Sequence, residues 1–431
     1  MVQDGIPQDG MPQNKDAQAL LPEIAALTPA WRANPGAAPG RPYGAAEAAV
    51  LGPADWQAAR AEISAWPGYR PTPLAALPGL AAALGIARLS VKDEGGRFGL
   101  GSFKALGGAY AVLRQFRARV AAETGAAPST EELLAGRFAE IAGSLTVCCA
   151  TDGNHGRSVA WGARTFGLPC VIYLHEQVSA GREAAIVRLG AEVRRVGGTY
   201  DDSVHRAAGD AAKNGWTVVS DTSYEGYRQI PRDVMAGYAV MAAEALAQWG
   251  AAPPPSHVFL QAGVGGLAAA VCGYLWQTLG AARPRVVVVE PETAACLFAS
   301  AAEGKAATIG GDLDTVMAGL AAGETSLVAW DLLRHGADDF MTLPDASAPL
   351  AMRLLAAGVD GDPPLVAGES AVAGLAALIC VRRRPALAAA LDLDAESRVL
   401  LFSTEGDTDP VLYRELVGRT ADEVRAATSD S

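Results

Sequence analysis

Residues 92–108 read KDEGGRFGLGSFKALGG and place one lysine, Lys104, between two glycine clusters. The segment follows an apolar stretch, Ala87–Val91, that predicts a strand, and it runs into Ala105–Arg117, whose pattern predicts a helix. A lysine just inside a helix start is electrostatically unusual, because the helix dipole disfavours a cation there and lowers its pKa. Since a neutral amine is a nucleophile, Lys104 is the first candidate for covalent chemistry, with an aldehyde as its natural partner.

Composition limits the classes of protein to which the chain can belong. Its 431 residues are 50% hydrophobic and 19% charged, which indicates a globular chain of about two domains. The 47 acidic against 35 basic residues argue against a nucleic-acid partner. No apolar stretch reaches the ~18 residues of a membrane span, and residues 1–18 contain no signal core. We therefore expect a cytoplasmic protein with no membrane partner.

Cysteine and histidine usage argues against a metal site. The six cysteines lie mostly in apolar stretches and form no C-x-x-C pair, which predicts buried free thiols. The five histidines are scattered, with no spacing typical of metal ligands.

Short apolar stretches alternate with helical patterns along most of the chain. The predicted strands are Ala87–Val91, Leu145–Ala150, Cys170–Leu174, Glu192–Val196, Thr217–Ser220, His257–Gln261, Arg285–Val289 and Arg398–Phe402. The helical patterns include 53–65, Gly156–Phe166, Gly181–Leu189, Asp202–Lys213, Pro231–Trp249 and Leu267–Leu279. This alternation predicts an α/β fold with parallel sheets and helices on both faces. Ligands of such folds bind at the carboxyl ends of the strands.

A glycine-rich loop joins one predicted strand to the next helix. It comprises Gly263, Val264, Gly265 and Gly266. Its backbone N–H groups, together with the helix N-terminus, suit a phosphate. A tight turn without a ligand is the plain alternative. A nicotinamide dinucleotide site stays open, because the pattern ends in a tolerated Ala268 and Glu290 lies near the range of a ribose-binding acid.

Two aspartates and an asparagine follow other predicted strands. Asn154 can donate to an aromatic oxygen such as the 3′ oxygen of pyridoxal phosphate (PLP), and Asp152 can act as an acid or base. Either residue can also simply cap the following helix. Asp221 follows a strand, where burial can raise the pKa of a carboxyl and make it a general base. A turn-forming aspartate is the alternative there.

Ser403 and Thr404 place hydroxyl groups at the end of the last predicted strand. A neutral hydroxyl can bond a pyridine nitrogen without forcing its protonation, which gives a weaker electron sink than a carboxylate would. Such a sink suits β-elimination, in which the leaving group accepts the electrons. The alternative is an ordinary strand-end turn.

The chain resembles the PLP-dependent fold-type II enzymes of the tryptophan-synthase-β family and, among them, the diaminopropionate ammonia-lyases. The stretches that carry the resemblance run in family order through roughly residues 65–415: Lys92–Gly108, Ala150–Gly156, Asp221–Tyr227, Gln261–Gly265, Val316–Leu320 and Phe402–Asp409.

The resemblance implies a fold of two open parallel-sheet α/β domains with PLP in the cleft between them. We expect a flexible arm at 1–42, of which Leu20–Trp31 can alternatively dock onto the body. A large PLP-binding domain is expected at 43–117 and 250–431, and a small α/β domain at 118–249. A homodimer is the expected assembly, by analogy with other fold-type II enzymes.

The resemblance also implies roles for the site residues. Lys104 carries PLP covalently, and Asn154 contacts its 3′ oxygen. The loop Gly263–Gly266 holds the phosphate, and Ser403 or Thr404 faces the ring nitrogen. Asp152 and Asp221 match two family aspartates that serve opposite enantiomers of a small amino-acid substrate.

The implied reaction is α,β-elimination of ammonia from D- or L-2,3-diaminopropionate, giving pyruvate and two ammonia. A serine, threonine or 3-hydroxyaspartate dehydratase on the same fold is the nearest alternative. A non-catalytic PLP-binding protein and a nicotinamide-dependent oxidoreductase are further alternatives.

Overall fold

The computed structural model describes residues 17–198 and 200–429, which form two β-sheets flanked by helices. The strands of this part are β1 Ala30–Ala33, β2 Leu74–Ala76, β3 Arg88–Asp93, β4 Val147–Ala150, β5 Cys170–His175, β6 Glu192–Val196, β7 Thr217–Val218, β8 His257–Gln261, β9 Arg285–Pro291, β10 Asp339–Leu343 and β11 Arg398–Ser403.

The helices surround both sheets. In chain order they are α1 Ala17–Ala26, α2 Ala45–Val50, α3 Pro53–Ile63, α4 Pro78–Leu84, α5 Ala105–Thr124, α6 Thr130–Leu134, α7 Ala139–Ser144, α8 Asn154–Phe166, α9 Ala180–Val187, α10 Tyr200–Asn214, α11 Gln229–Trp249, α12 Gly266–Leu279, α13 Cys296–Glu303, α14 Leu327–Gly336, α15 Ser347–Ala357, α16 Ala373–Arg382, α17 Pro385–Ala390, α18 Pro410–Val417 and α19 Ala421–Ser429.

The larger sheet has the order β1-β10-β9-β8-β11-β3-β2. Its five inner strands run parallel, and β1 and β2 add antiparallel edges. The inner strands are almost wholly buried, which explains why continuous apolar stretches mark them in the sequence. The chain leaves β8 for β9 on one side and returns to β11 on the other. This reversal opens a crevice at the carboxyl ends of β8 and β11.

The smaller sheet is parallel throughout, with the order β6-β5-β4-β7. It reverses in the same way between β4 and β7, so the segments after these two strands lie at its crevice. The two sheets with their helices confirm the predicted α/β fold. We propose the boundaries 43–117 with 250–431 for the larger domain and 118–249 for the smaller, which contains all four strands of this sheet.

Part of the predicted N-terminal arm packs on the larger sheet. The side chains of Leu20, Leu21 and Ile24 in α1 are buried against α15 and α16, and β1 pairs with β10. The alternative that Leu20–Trp31 docks onto the body therefore holds, because this segment buries apolar surface and pairs its backbone. Residues 1–16 of the predicted arm lie outside the described residues.

Two further predictions concern the cysteines and membrane-spanning helices. All six cysteines are free and buried, as the sequence indicated. In the described ranges, every helix is too short or too polar to cross a membrane.

Helix α5 joins the two halves of the molecule. It packs between α8 and α11 of the smaller domain, and its first nine residues are all buried. Two glycines allow this close packing. A Cβ on Gly107 would lie 2.4 Å from the Tyr238 ring, and one on Gly108 would lie 1.9 Å from the Ser158 hydroxyl. The glycines after Lys104 therefore serve packing, which fixes the position of the helix start.

Candidate active site

Lys104 lies at the start of α5, where the crevices of the two sheets meet. Residue 103 fixes it to the larger sheet, because the backbone N–H of Phe103 donates to the Thr404 carbonyl at 3.0 Å, just beyond β11. Its ammonium Nζ reaches the other way and donates to Oδ2 of Asp221 at 2.6 Å. Asp221 follows the short strand β7 of the smaller sheet. The pair joins residues 117 positions apart in the chain and spans the cleft.

The surroundings of this pair are apolar and partly open. The side chains of Lys104 and Asp221 are 18% and 16% exposed. The Lys104 Nζ lies 5.5 Å from the ring centre of Phe103 and 5.8 Å from that of Tyr238. Both rings restrict the ammonium to the side that faces the cleft.

The ion pair reverses two predictions made from the sequence. Burial and the helix dipole disfavour the Lys104 ammonium, but the adjacent Asp221 carboxylate outweighs them, and the pKa of Lys104 is raised. Burial alone would raise the pKa of Asp221, but Lys104 and then His155 hold that pKa well below its usual range. The predicted lowering of the Lys104 pKa and raising of the Asp221 pKa are therefore wrong.

His155 of α8 lies beside the same carboxylate. Its Nε2 is 2.8 Å from the Val219 carbonyl, and its Nδ1 is 3.7 Å from Asp221 Oδ2. Within the described chain, Nδ1 has no hydrogen-bond partner. Burial lowers the pKa of this buried imidazole.

Asp152 occupies a different part of the cleft from Asp221. Its Oδ1 lies 2.8 Å from His175 Nε2, and its carbonyl accepts a hydrogen bond from Arg182 at 3.3 Å. Arg182 also donates to Glu369 of the larger domain at 3.0 Å. The two predicted catalytic carboxylates thus have different partners, a lysine for Asp221 and a histidine for Asp152.

Asn154 is held by a buried carboxylate. Its Nδ2 donates to Glu405 Oε2 at 2.5 Å, and the other Glu405 oxygen accepts from the Ser370 backbone N–H at 3.1 Å. Glu405 follows Ser403 and Thr404, so Asn154 lies near the end of β11.

The loop Gly263–Gly266 has the geometry expected of an anion site. Gly265 has φ +100° and precedes the first residue of α12, so its conformation excludes ordinary side chains. A Cβ on Gly266 would lie 3.9 Å from the Asp221 carbonyl oxygen and from the Tyr238 ring. The N-terminus of α12 therefore opens next to the Lys104–Asp221 pair.

The two hydroxyl groups at the end of β11 differ in their partners. The Thr404 hydroxyl accepts a hydrogen bond from Gln261 Nε2 at 2.9 Å. The Ser403 hydroxyl is buried and has no partner in the described residues. In the described residues, the Ser403 hydroxyl therefore has both its donor and its acceptor positions open, whereas Thr404 is occupied only as an acceptor.

Glu290 cannot serve a nucleotide ribose. Both of its oxygens accept backbone N–H groups at the start of α13, from Leu297 at 2.8 Å and Phe298 at 2.7 Å. The side chain is fully buried, and burial raises its pKa to about 8. This removes the acidic residue on which the nicotinamide alternative depended.

Residues 65–405 match the family described as pyridoxal-phosphate dependent enzyme. This chain belongs to that family. Its cofactor is pyridoxal 5′-phosphate, and its fold is that of the fold-type II PLP enzymes.

Known members of the PLP-dependent enzyme family are similar over most of the chain. Diaminopropionate ammonia-lyase from Escherichia coli (strain K12) is 42% identical over 81% of this chain and 88% of its own length. The diaminopropionate ammonia-lyase of Salmonella typhimurium is 39% identical over 82% of this chain and 90% of its own. The crystal structure of the E. coli enzyme in complex with D-serine has a TM-score of 0.83 and 38% identity, covering 92% and 98% of the two chains.

The residues present fit the family's cofactor. PLP needs an amine for its aldehyde, an anion site for its phosphate and a polar partner for its ring nitrogen. Lys104 supplies a partly exposed amine, α12 supplies a helix N-terminus behind a glycine loop, and Ser403 supplies a buried hydroxyl with no partner in the described chain.

Sequence reasoning missed several residues of this PLP-enzyme site. His155 and Glu405 lie inside the quoted motifs, but nothing local showed that they contact Asp221 and Asn154. Tyr238 lies in helix α11 and His175 ends strand β5, and the apolar pattern of both elements indicates ordinary core residues. Their roles depend on contacts between distant segments, which only the fold supplies.

Proposed function

We propose that this enzyme eliminates ammonia from the β-carbon of D- or L-2,3-diaminopropionate. The released 2-aminoacrylate then reacts with one water to give pyruvate and a second ammonia. The observation that carries the proposal is the Lys104–Asp221 pair, which places an amine and a carboxylate 2.6 Å apart beside the glycine loop. The similarity to diaminopropionate ammonia-lyases over most of the chain supports the choice of substrate.

The positions of five sets of residues support the proposed cofactor contacts. Lys104 binds the PLP aldehyde covalently, and the backbone N–H groups of Gly263, Val264, Gly265 and Gly266 hold the phosphate with the dipole of α12. Asn154 donates to the 3′ oxygen. Ser403 bonds the ring nitrogen, and Thr404, which accepts from Gln261, supports the strand end. When bound, PLP supplies an electron sink that stabilises negative charge on the substrate α-carbon.

The neutral hydroxyl of Ser403 suits elimination rather than transamination. A serine leaves the ring nitrogen without a full positive charge, so the sink stays weak. The electron pair left on the α-carbon then forms the Cα=Cβ double bond, while the Cβ–N bond breaks and its pair leaves with the amino group. The amino group departs as ammonia after it gains a proton, and Lys104, the cation paired with Asp221, is the proposed proton donor.

The two aspartates act as bases for opposite enantiomers. The Asp221 carboxylate is ionised, because Lys104 holds its pKa low, and its basicity rises when that ammonium is no longer beside it. Asp152 is paired with His175, which orients its carboxylate and can receive a proton from it. Because their partners differ, Asp221 and Asp152 act as independent proton acceptors.

Product stoichiometry tests the proposal. Purified protein loaded with PLP is incubated with D- and L-2,3-diaminopropionate, and with L-serine in parallel. We expect two ammonia per pyruvate from diaminopropionate and a much lower kcat/KM for serine, which releases one. Rapid turnover of serine with none of diaminopropionate would show that the enzyme is a dehydratase. No pyruvate from any amino acid would contradict elimination altogether.

We propose a homodimer in the cytoplasm as the functional form. The homodimer rests on the common assembly of fold-type II enzymes, and the cytoplasm on the six free cysteines, which suit a reducing compartment. Light scattering of the purified protein should give twice the chain mass of 44.2 kDa.

A further inference from the structure

One ring nitrogen of His155 has a hydrogen-bond partner, and the other has none in the described residues. Nε2 lies 2.8 Å from the Val219 carbonyl, and since a carbonyl only accepts, Nε2 carries the proton. The imidazole is then neutral when Nδ1 carries no hydrogen. In the described part of the chain Nδ1 has no partner, although the residue is only 7% exposed. The nearest acidic atom is Asp221 Oδ2 at 3.7 Å.

The same Asp221 oxygen accepts the hydrogen bond from Lys104. An ammonium has three N–H donors, and condensation with an aldehyde, which releases one water, would leave the lysine nitrogen at most one. Attachment of Lys104 to the cofactor, as in the proposed function on which this inference rests, therefore takes a donor from Asp221. Loss of a donor is unfavourable for a largely desolvated carboxylate such as Asp221, whose side chain is 16% exposed.

The charges around His155 change in the same step. Burial, the N-terminus of α8 and the Lys104 ammonium oppose a charged imidazole, whereas Asp221 favours it. Asp221 after β7 and Lys104 before α5 are the charged groups that act on this ring, and the Tyr238 hydroxyl of α11 lies by Lys104. Removing the Lys104 ammonium leaves Asp221 as the dominant neighbour.

We propose that His155 is a positioning residue that replaces Lys104 as the hydrogen-bond donor to Asp221 when Lys104 binds the cofactor. His155 takes one proton from solvent at Nδ1, and no other bond changes. A movement of about 1 Å brings the carboxylate to hydrogen-bond distance, because N–H···O contacts are about 2.9 Å long. Asp221 thus keeps a fixed orientation while Lys104 is engaged.

Histidine NMR tests this directly. Full-length protein is labelled with ¹⁵N-histidine, and the ring nitrogens are followed against pH without and with PLP. We expect the ligand-free His155 to be the neutral Nε2–H form at pH 7. With PLP, its titration midpoint rises by about one unit or more, the size of shift that one neighbouring charge produces. An unchanged midpoint in the PLP-loaded protein overturns the proposal.

Two controls accompany the experiment. His155→Gln assigns the signal, because its amide can still donate to Val219 but has no Nδ1, and His155→Asn serves if that variant does not fold. His257 is the internal control, since its ring nitrogens are bonded to Leu391 and Ser256 away from the cleft. Its signals stay constant when PLP is added.

Activity distinguishes positioning from a merely structural role. His155→Gln should lower kcat about tenfold for the enantiomer that uses Asp221 and leave the other nearly unchanged. Equal losses on both enantiomers contradict the proposal. Borohydride reduction and mass mapping distinguish a failure of the proposed function from a failure of the role proposed for His155. PLP on a lysine other than Lys104 overturns the proposed function and this inference together, whereas PLP on Lys104 with an unchanged His155 overturns only the inference.

Discussion

Lys92 and Lys104 lie at the two ends of one glycine-rich segment and have opposite surroundings. Lys92 is fully buried, and its three donors are used by Glu244 at 2.7 Å, the Thr72 carbonyl at 2.7 Å and Gln248 at 2.9 Å. Lys104 has one carboxylate partner and is partly exposed to the cleft. Burial lowers the pKa of Lys92, whereas the pKa of Lys104 is raised.

A perturbed pKa therefore does not by itself identify the reactive lysine. Lys92 belongs to a balanced buried network in which Arg97 also bonds Glu94 and Glu244. This network ties the glycine-rich segment to α11, and every charge in it has an opposite neighbour. The Lys104–Asp221 pair is instead open on one side, so its ammonium can exchange its partner for a ligand. Access and an exchangeable partner, rather than pKa alone, mark the chemical lysine.

The largest expected effect comes from removing the amine of Lys104. Lys104→Ala should lower kcat by about 10³-fold or more, because the residue that anchors the cofactor acts in every step. The protein should remain folded, since the side chain is partly exposed. Pyruvate formation and circular dichroism are measured together. Substantial activity in a folded variant would remove Lys104 from the mechanism.

Removing Lys92 should instead damage stability. Lys92→Met leaves Glu244 buried with one fewer cation, and breaking such pairs costs about 3–5 kcal/mol of unfolding free energy. Denaturant unfolding measures this change, with Lys213→Met as an exposed control that should have little effect. PLP binding per folded molecule should be kept. Full stability together with loss of PLP would reverse the roles assigned to the two lysines.

The two aspartates should separate by enantiomer. Asp221→Asn is expected to lower kcat about 10²–10⁴-fold on one enantiomer of 2,3-diaminopropionate, the usual contribution of a general base. Asp152→Asn should do the same for the other enantiomer and serves as the matched variant. Equal losses on both enantiomers in each variant would refute the division of labour.

A smaller effect is expected from Glu369, a buried carboxyl group that lies near a second acidic side chain, Glu405. Burial and then Glu405 raise its pKa to about 8, from 4.5, against the effect of Arg182. Because the folded pKa is the higher one, this carboxyl stabilises the fold below pH 4.5, and that stability is lost as pH rises towards 8. Glu369→Gln should therefore gain thermal stability over wild type between pH 5 and 8. A Tm difference that does not grow with pH would contradict this.

Much of this fold could be predicted from the sequence. The inner strands β8, β9 and β11 are buried on both faces, so their apolar stretches are visible without the structure. Strands β1, β2 and β10 were not predicted. The first two are short, partly exposed antiparallel edges, which carry a weak apolar signal.

The site was predictable in its parts but not in its electrostatics. Strand-end position and glycine spacing indicated Lys104 and the Gly263–Gly266 loop. The partner of Lys104 lies 117 residues away, so the directions of both pKa shifts could not be read from local pattern. The contacts of Asn154 with Glu405 and of Asp152 with His175 are equally remote.

Mapping the lysine that binds PLP tests directly whether Lys104 anchors the cofactor. The chain has five lysines: Lys15, Lys92, Lys104, Lys213 and Lys305. PLP-loaded protein is reduced with borohydride, digested and analysed by mass spectrometry. We expect one pyridoxyl group, on Lys104, with Lys92 unmodified. A pyridoxyl group on Lys92, or on any other lysine in place of Lys104, would contradict the account.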